Sequence, residues 1–290
     1  MIKERKYSEQ NPANAKYHKP LINIKNAIKK YIQSQPEIYK YYNFSYKSQV
    51  HDLDLILDEC IKRVKYGSTY RSSIYLPKST FNKIYLDLHK RNILKKSYIE
   101  LLKMYFKKSP NRKLMYRFTD TTCFVNKNGK TKVKYNGYKK RKITKGSLET
   151  DSNGVVIKST LNNGNMNDAR IFIKDISKEY LVDKDLLERF KNYYVADSGY
   201  DTEEIKNYLN EEGFTVIIKG NKKNTKDVNK LKKFKMSKYQ KYIYNKRFII
   251  EDTNSNIKSF KLIQTRMDSK SCSFENSLFI SYINKVLKYI

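Results

Sequence analysis

Apolar residues in the first third of the chain recur every three or four positions, which is the period of an amphipathic helix. One run, Val50–Val64, stops before Gly67, a residue type that commonly closes helices. A second run, Phe81–Leu88, follows Ser79 as its expected N-cap, and Ile99–Phe106 forms a third. The spacing therefore predicts three successive helices.

These helices define the first part of the chain. We predict a helical region over residues 21–110, preceded by a basic, flexible lead-in over residues 1–20 that contains two prolines. Residues 111–113 follow Pro110 and mark a linker, so a second region is expected over residues 111–290.

The pattern changes to that of strands after the linker. Leu114–Val125 is predicted to be extended and carries Asp120. Gly146–Thr150 and Val155–Leu161 flank residues 151–154, where Asn-Gly is a strong turn signal, so they predict an antiparallel hairpin.

Strands then alternate with helices. The pattern predicts a helix over Asp168–Tyr180, a strand over Tyr193–Asp197, a helix over Asp201–Glu212 closed by Gly213, and a strand over Phe214–Lys219. This alternation is typical of an α/β sheet with at least one parallel pair of strands.

A basic segment and two helices are predicted to follow. Lys219–Lys241 contains ten lysines and a single acid, Asp227, so we predict a surface insertion at about 219–241. It is either ordered on nucleic acid or solvated. Phe248–Lys258 and Phe274–Ile290 predict the last two helices.

The net charge favours a polyanionic partner. The chain carries 61 basic and 29 acidic residues, a formal net charge of +32. Such an excess repels itself in a compact fold unless an anion takes part, and nucleic acid is the usual one. Part of the lysine content is also explained by AT-rich codons, because Asn, Tyr and Ile are abundant as well.

The cysteine and hydropathy patterns indicate the cellular compartment of the protein. Cys60, Cys123 and Cys272 lie far apart, which disfavours a disulfide framework and favours a reducing compartment. No run of about 18 apolar residues exists, so we predict an intracellular protein without membrane contact, cytoplasmic in a prokaryote. The three histidines are scattered, which disfavours a zinc site.

Two aspartates occupy positions where ligands often bind. Asp197 follows a short apolar strand directly, and the carboxyl ends of strands form the ligand crevice in open α/β sheets. Asp120 lies between two threonines in the first extended segment. Each aspartate taken alone is more simply explained as a solvated or locally hydrogen-bonded strand end.

A third acid belongs to a spaced pattern. Tyr244, Arg247, Glu251 and Lys258 lie in and just before a predicted helix, where Arg247, Glu251 and Lys258 share one face. An ordinary salt bridge between Arg247 and Glu251 explains neither Tyr244 nor Lys258.

This spacing resembles the signature of DDE transposases from bacterial insertion sequences. Asp120-Thr121-Thr122 and the stretch 195–201 resemble the family's first and second aspartate blocks, and residues upstream, from about residue 50, are similar as well. Two departures concern Tyr70, where the family commonly has tryptophan, and Asn167-Asp168, where it usually has His-Asp.

The resemblance implies a ribonuclease-H-like fold, in which a mixed sheet is flanked by helices and preceded by the helical region. Asp120 would lie on the first strand, Asp197 just after the fourth, and Glu251 on the following helix. These three residues would be both the catalytic residues and the ligands of two Mg²⁺ ions, with Mn²⁺ as a substitute. The implied activity is phosphodiester hydrolysis at transposon ends, followed by strand transfer of the 3′-OH into target DNA.

The expected partner is double-stranded DNA, as transposon ends and as target, bound by a homodimer. We expect DNA contacts from Tyr244, Arg247, Lys258, Lys139, Lys140, Arg141, Lys142, Lys222 and Lys223. The helical region either binds the terminal repeats or packs against the catalytic region.

Two other functions remain open at this point. The chain could be a domesticated DNA-binding protein that has lost catalysis, although the intact acidic triad argues against this. It could also be another ribonuclease-H-like nuclease, against which the spaced Tyr–Arg–Glu–Lys pattern argues.

Overall fold

The computed structural model describes residues 12–42, 44–46, 49–73, 75–108, 116–183, 186–187, 193–220 and 236–290. Within them the helices are α1 Pro12–Gln33, α2 Pro36–Tyr42, α3 Leu53–Tyr66, α4 Lys78–Lys90, α5 Ile93–Lys108, α6 Asp168–Asp175, α7 Glu203–Glu211, α8 Lys238–Asn245, α9 Phe248–Lys258, α10 Lys261–Gln264 and α11 Ser271–Val286. The strands are β1 Phe44–Tyr46, β2 Gln49–His51, β3 Tyr116–Asn126, β4 Lys134–Asn136, β5 Arg141–Thr150, β6 Val156–Asn163, β7 Tyr193–Ala196, β8 Thr215–Ile218 and β9 Thr265–Arg266.

The N-terminal helices follow the apolar spacing, with local corrections. Helix α3 begins after Asp52, whose side chain accepts a hydrogen bond from the backbone N–H of Asp54, and ends at Gly67 with a φ of 71°. Val50 was wrongly placed on this helix, because it lies on β2 of a short antiparallel hairpin. Ser79 is not an N-cap, since α4 begins one residue earlier, after Pro77.

The expected flexible lead-in does not extend to residue 20, because residues 12–20 already belong to α1. Residues 1–11 and the predicted linker at 111–113 lie outside the described residues. The basic insertion ends earlier than predicted. Ser237 caps α8 through a reciprocal hydrogen-bond pair with Gln240, so residues 238–241 are helical.

Seven strands form one mixed sheet. Its central order is β6, β5, β3, β7, β8, in which β5 is antiparallel to β6 and β3, while β7 and β8 run parallel to β3. Strand β4 extends the β5 edge, and β9 pairs with the far end of β3. Three antiparallel strands followed by two parallel ones, with helices on the faces, confirm the predicted ribonuclease-H-like class.

The helical region and the sheet share one apolar core. A single cluster of buried side chains runs from α1 and α3–α5 into α9–α11 and strands β5 and β6. Polar contacts cross the same boundary. The Tyr98 hydroxyl donates to the Val156 carbonyl at 2.7 Å, and Tyr85 and Ser277 share a hydrogen bond of 2.8 Å. The N-terminal helices therefore pack directly on the sheet region.

Strand alternation fixes the two faces of the sheet near its centre. Tyr194 and Ala196 of β7 pack beside α6 and α7, whereas Val195 packs with Phe118 and with Ile250 of α9. Residues two positions beyond Val195 and Phe118 consequently lie on the face that α8 and α9 cover.

A candidate active site at the centre of the sheet

The two aspartates are neighbours because of strand register. Phe118 of β3 pairs in parallel with Val195 of β7, so a step of two residues along each strand reaches Asp120 and Asp197. Adjacent strands lie about 4.8 Å apart, and a step of two returns to the same face. Both side chains therefore approach helix α9, the helix that carries Glu251.

Asp197 is held where the chain leaves β7. Its carboxylate accepts a 2.7 Å hydrogen bond from the backbone N–H of Gly199 and so caps the short turn Ser198–Tyr200. A Cβ at position 199 would lie 2.9 Å from Asp197 Oδ1 and 3.3 Å from Asp168 Oδ2. Glycine at this position lets the backbone come this close to two carboxylates.

Arg247 joins the helix to the strand. Its guanidinium donates to Glu251 Oε1 at 3.1 Å and lies 4.0 Å from Asp120 Oδ1. The Arg247 side chain is 14% exposed, whereas that of Glu251 is 61% exposed. Arg247 therefore lies between two of the three predicted acids and neutralises part of their charge.

Tyr244 and Lys258 border the same site. Burial raises the pKa of the Tyr244 phenol, Arg247 opposes the rise, and three negative charges add to it. These charges come from Asp197, Glu251 and Asp120. Burial lowers the pKa of the Lys258 ammonium, and the charge of Asp120 partly counteracts this. The spaced pattern thus lies along the edge of one site.

Asp120 has a strongly perturbed ionisation. Burial raises its pKa to about 6, Arg247 opposes the rise, and the charges of Asp197 and Asp168 add to it. The 2.9 Å hydrogen bond from Asn254 Nδ2 to Asp120 Oδ2 fixes the carboxylate in place. The ionised carboxylate is therefore costly in the folded protein, as is common for functional acids.

We expect the Asp120→Asn protein to be more stable than the wild type at pH 7, by about 1–2 kcal/mol in the free energy of unfolding. Because the folded pKa of Asp120 is raised, the wild type loses stability as the pH rises through about 6. The advantage of the variant should therefore vanish below pH ~4, where Asp120 is protonated in both states. Urea denaturation without metal at several pH values measures this.

Asp175→Asn is the matched control, because the buried Asp175 accepts a hydrogen bond from Asn162 at 3.0 Å. It should not stabilise the protein at pH 7. A loss of stability in Asp120→Asn at that pH would contradict the assigned ionisation.

Sequence reasoning missed two polar residues of this site. Asn254 follows Glu251 by one helical turn, a spacing that could have identified it. Asp168 begins α6, where Oδ1 accepts hydrogen bonds from Thr121 Oγ1 at 2.6 Å and Lys145 Nζ at 2.7 Å. The family resemblance includes Asn167-Asp168, but only the tertiary structure shows that Asp168 lies close to Asp120.

The site has the ligand types that suit a hard cation. Carboxylate oxygens are the donors that Mg²⁺ prefers. One polar atom of the site, Asn254 Oδ1, is buried without a hydrogen-bond partner among the described residues. Among the described residues, however, no three His, Cys, Asp or Glu side chains are gathered closely enough to hold a metal ion. The residues fit a cation by type and charge, while Arg247 lies between two of them.

The other predicted DNA contacts fall into two groups. Residues 139–142 are exposed. Residues 139 and 140 lie at the tip of the β4–β5 hairpin, and residues 141 and 142 begin strand β5. Because Ile143 of β5 pairs with Val125 and Leu148 with Asp120, this tip lies beyond the end of β3 that is farther from Asp197. Lys222 and Lys223 lie outside the described residues.

Fold and site together define a ribonuclease-H-like protein with acidic side chains on neighbouring strands, Asp120 within β3 and Asp197 directly after β7. More specifically, the chain belongs to the family of transposase DDE domains, which matches residues 115–279, more than half of its length. The predicted family is confirmed at this level.

Among solved structures, the chain is similar to a Mos1 transposase paired-end complex with the left transposon end. The identity is 13% and the TM-score 0.26, and the match covers 56% of this chain and 60% of the Mos1 chain, which is less than two thirds of it. None of the curated proteins matches the chain. No helix in the described part of the chain has the length and apolar character needed to cross a bilayer.

Proposed function

We propose that the protein is a DNA transposase that hydrolyses phosphodiester bonds at transposon ends and transfers the 3′-OH into target DNA. The observation that carries this proposal is the adjacent placement of Asp120 and Asp197 under the helix of Glu251, within a chain of the transposase DDE family. The three residues are the proposed catalytic residues.

Asp120, Asp197 and Glu251 would hold two Mg²⁺ ions, with Mn²⁺ as a substitute. When bound, such ions supply Lewis-acid activation of the attacking oxygen and stabilise the leaving oxygen. The raised pKa of Asp120 supports this assignment, because a carboxylate placed at an energetic cost among like charges gains most from a cation.

Arg247 has a different role in this proposal. Its contacts with Asp120 and Glu251 compensate their charge in the free protein. Once cations compensate that charge, the guanidinium is available to a phosphate oxygen, for which its planar fork is suited. Tyr244 lies one turn before Arg247 and Lys258 lies at the other end of α9, and both would contact the same DNA end.

The exposed basic residues at 139–142 would contact duplex phosphates without reading sequence. Lys222 and Lys223 remain proposed contacts of the same kind. Transposon ends and target DNA are the proposed partners, and a homodimer is the proposed assembly. Residues 21–110 have two candidate roles. The shared core favours packing support, and DNA-end binding stays a prediction.

A second candidate is a DNA-binding protein without catalysis. It is favoured by one observation, namely that the described residues contain no gathered group of three metal ligands. Arg247 would then be a permanent structural counter-ion for Asp120.

The experiment that tests the proposal uses a supercoiled plasmid carrying the DNA that flanks the gene on both sides. We expect cleavage at the two ends with Mg²⁺ or Mn²⁺, and none in EDTA. Binding without cleavage under all conditions would favour the second candidate. Cleavage that persists in EDTA would refute the metal-dependent mechanism.

A further inference from the structure

A cleft of about 350 Å³ lies where the helical region meets the sheet region, and the proposed chemistry does not use it. We call it the junction cleft. Its polar lining includes Arg63, Ser68, Thr69, Asn82, Asn128 and Lys270. From Asp120 to Asn126, where β3 ends, the strand extends about 20 Å. Because Asn128 lies beyond that end, the junction cleft is separate from the candidate active site.

Arg63 lines the junction cleft with an incomplete set of hydrogen bonds. Its side chain is 4% exposed, and Nη2 donates to Asp268 Oδ1 at 2.6 Å. Nε and Nη1 have no hydrogen-bond partner among the described residues. A guanidinium has five N–H donors, and buried donors in native proteins are nearly always satisfied by protein, water or a bound ion. The junction cleft is therefore expected to hold an acceptor for this side chain.

The start of α11 supplies a second group of donors to the same cleft. This helix of 16 residues begins at Ser271, and Ser273 of its first turn lines the cleft. Its N-cap residue is Lys270, whose ammonium cannot accept a hydrogen bond from the backbone. Thr131 Oγ1 accepts one from the Ser271 N–H at 2.9 Å. The N–H groups that follow, together with the positive end of the helix dipole, favour an anion at this position.

The charge of the lining selects an anion rather than water. Among the described residues, the charged side chains of the lining are Arg63, Asp268 and Lys270. Asp268 pairs with Arg63, which leaves Lys270 as the net positive charge. Lys130 adds to it, because its N–H donates to the Ser269 carbonyl at 2.9 Å and its side chain is exposed. Water would satisfy the donors without balancing this charge, whereas an oxyanion does both.

The position of the junction cleft favours a phosphate group of DNA over a free phosphate ion. The exposed basic residues 139–142 lie beyond the same end of β3 that leads to Asn128. A DNA backbone carries phosphates in series and can therefore reach both places at once. The hydroxyls of Ser68 and Thr69 and the amide of Asn82 are groups that commonly contact phosphate oxygens in DNA complexes.

We propose that the junction cleft binds one phosphate group of the DNA backbone through Arg63, Lys270 and the N-terminus of α11. This assignment rests on the proposed transposase function, which supplies DNA as the partner. Arg63 belongs to α3, whereas Lys270 directly precedes α11. The site therefore gives the helical region a DNA contact that it shares with the sheet region, in addition to its packing.

Full-length wild-type, Lys270→Gln and Arg63→Met with Asp268→Leu proteins are compared at constant ionic strength without divalent metal. The double variant removes the guanidinium without leaving a buried unpaired charge. Inorganic phosphate is the first probe, followed by the melting temperature, and a blunt duplex is the second, followed by fluorescence anisotropy. In both variants the rise of the melting temperature with phosphate should fall by about half or more, and duplex binding should weaken about 3- to 10-fold.

Lys83→Gln is the matched control, because it removes an exposed lysine next to Asn82 on α4. It should change neither measurement. If circular dichroism shows that the double variant does not fold, Lys270→Gln alone decides the outcome.

A lost phosphate response with unchanged duplex binding would assign the junction cleft to free phosphate and overturn the DNA assignment. Equal weakening of duplex binding in Lys83→Gln would show general charge attraction and would also overturn it. Unchanged responses in the cleft variants would exclude an anion site. Because no measurement here requires cleavage, failure of this site is distinguishable from failure of the proposed transposase activity, which the plasmid assay reports.

Discussion

An Asp197→Asn protein is expected to lose the proposed metal-dependent DNA cleavage by roughly a thousandfold or more, since losing the proposed metal ligand would remove several kcal/mol of transition-state stabilisation. Its fold should persist, because an amide oxygen can still accept the hydrogen bond from the Gly199 N–H. DNA affinity should stay within about twofold of the wild type, because few phosphate contacts are expected from a carboxylate. Cleavage rates on the flanking-DNA plasmid and dissociation constants from anisotropy measure the two effects separately.

Asp252→Asn is the matched control for this prediction. Asp252 follows Glu251 directly on α9, but its carboxylate pairs with Lys285 at 3.0 Å. This variant should cleave at nearly the wild-type rate. If Asp197→Asn retained cleavage, the metal-ligand role of Asp197 would be wrong. If it lost DNA binding as well, the substitution would have disturbed more than the cation site.

The placement of the two aspartates could be predicted from the sequence because it depends on local pattern. A short apolar strand ending at Ala196 puts the next residue at the edge of a sheet, and strand alternation sets its face. The helix over Phe248–Lys258 was also predicted at its observed bounds. These patterns do not show which other strand or helix packs against each of these elements.

The residues that were missed depend on that neighbour. Asp168 reaches Lys145 across 23 positions of sequence, and Asn254 reaches Asp120 across 134. Arg247 was expected to contact DNA, yet in the free chain it lies between Asp120 and Glu251. A one-dimensional pattern identifies a buried or polar face without stating what that face meets.

The same distinction explains the helical region. Its apolar spacing predicted the side of α3 that is buried, but on α5 only Leu102 of the predicted stripe is buried, since Ile99 and Phe106 lie at the margin of the buried side. The spacing could not show that α5 packs on α11 and α3 on α10, two helices from the far end of the chain. The error in the start of α4 has a local cause, because Pro77 rather than Ser79 is the residue at its N-cap.

An Asp268→Asn protein is expected to lose about 3–5 kcal/mol of the free energy of unfolding, because it leaves the Arg63 guanidinium buried without a charge partner. Arg63 Nη2 donates to Asp268 Oδ1 at 2.6 Å, and the two side chains are 4% and 2% exposed. The guanidinium lies 4.1 Å from the centre of the Tyr70 ring. If it moved to solvent in the variant, it would lose this packing. Urea denaturation followed by far-UV circular dichroism measures the loss.

Two comparisons make this prediction specific to the junction between the helical region and the sheet. Glu275→Gln removes a half-buried charge that lies 3.9 Å from Lys132, and it should cost less than about 1 kcal/mol. Replacing both partners, as Arg63→Met with Asp268→Leu, should recover most of the lost stability, because the cost in Asp268→Asn comes from the unpaired buried charge.

Since α3 and the segment before α11 share one core, unfolding should remain a single transition in every variant. Two separate transitions in Asp268→Asn would instead show that residues 21–110 fold independently, as a separate DNA-binding domain would.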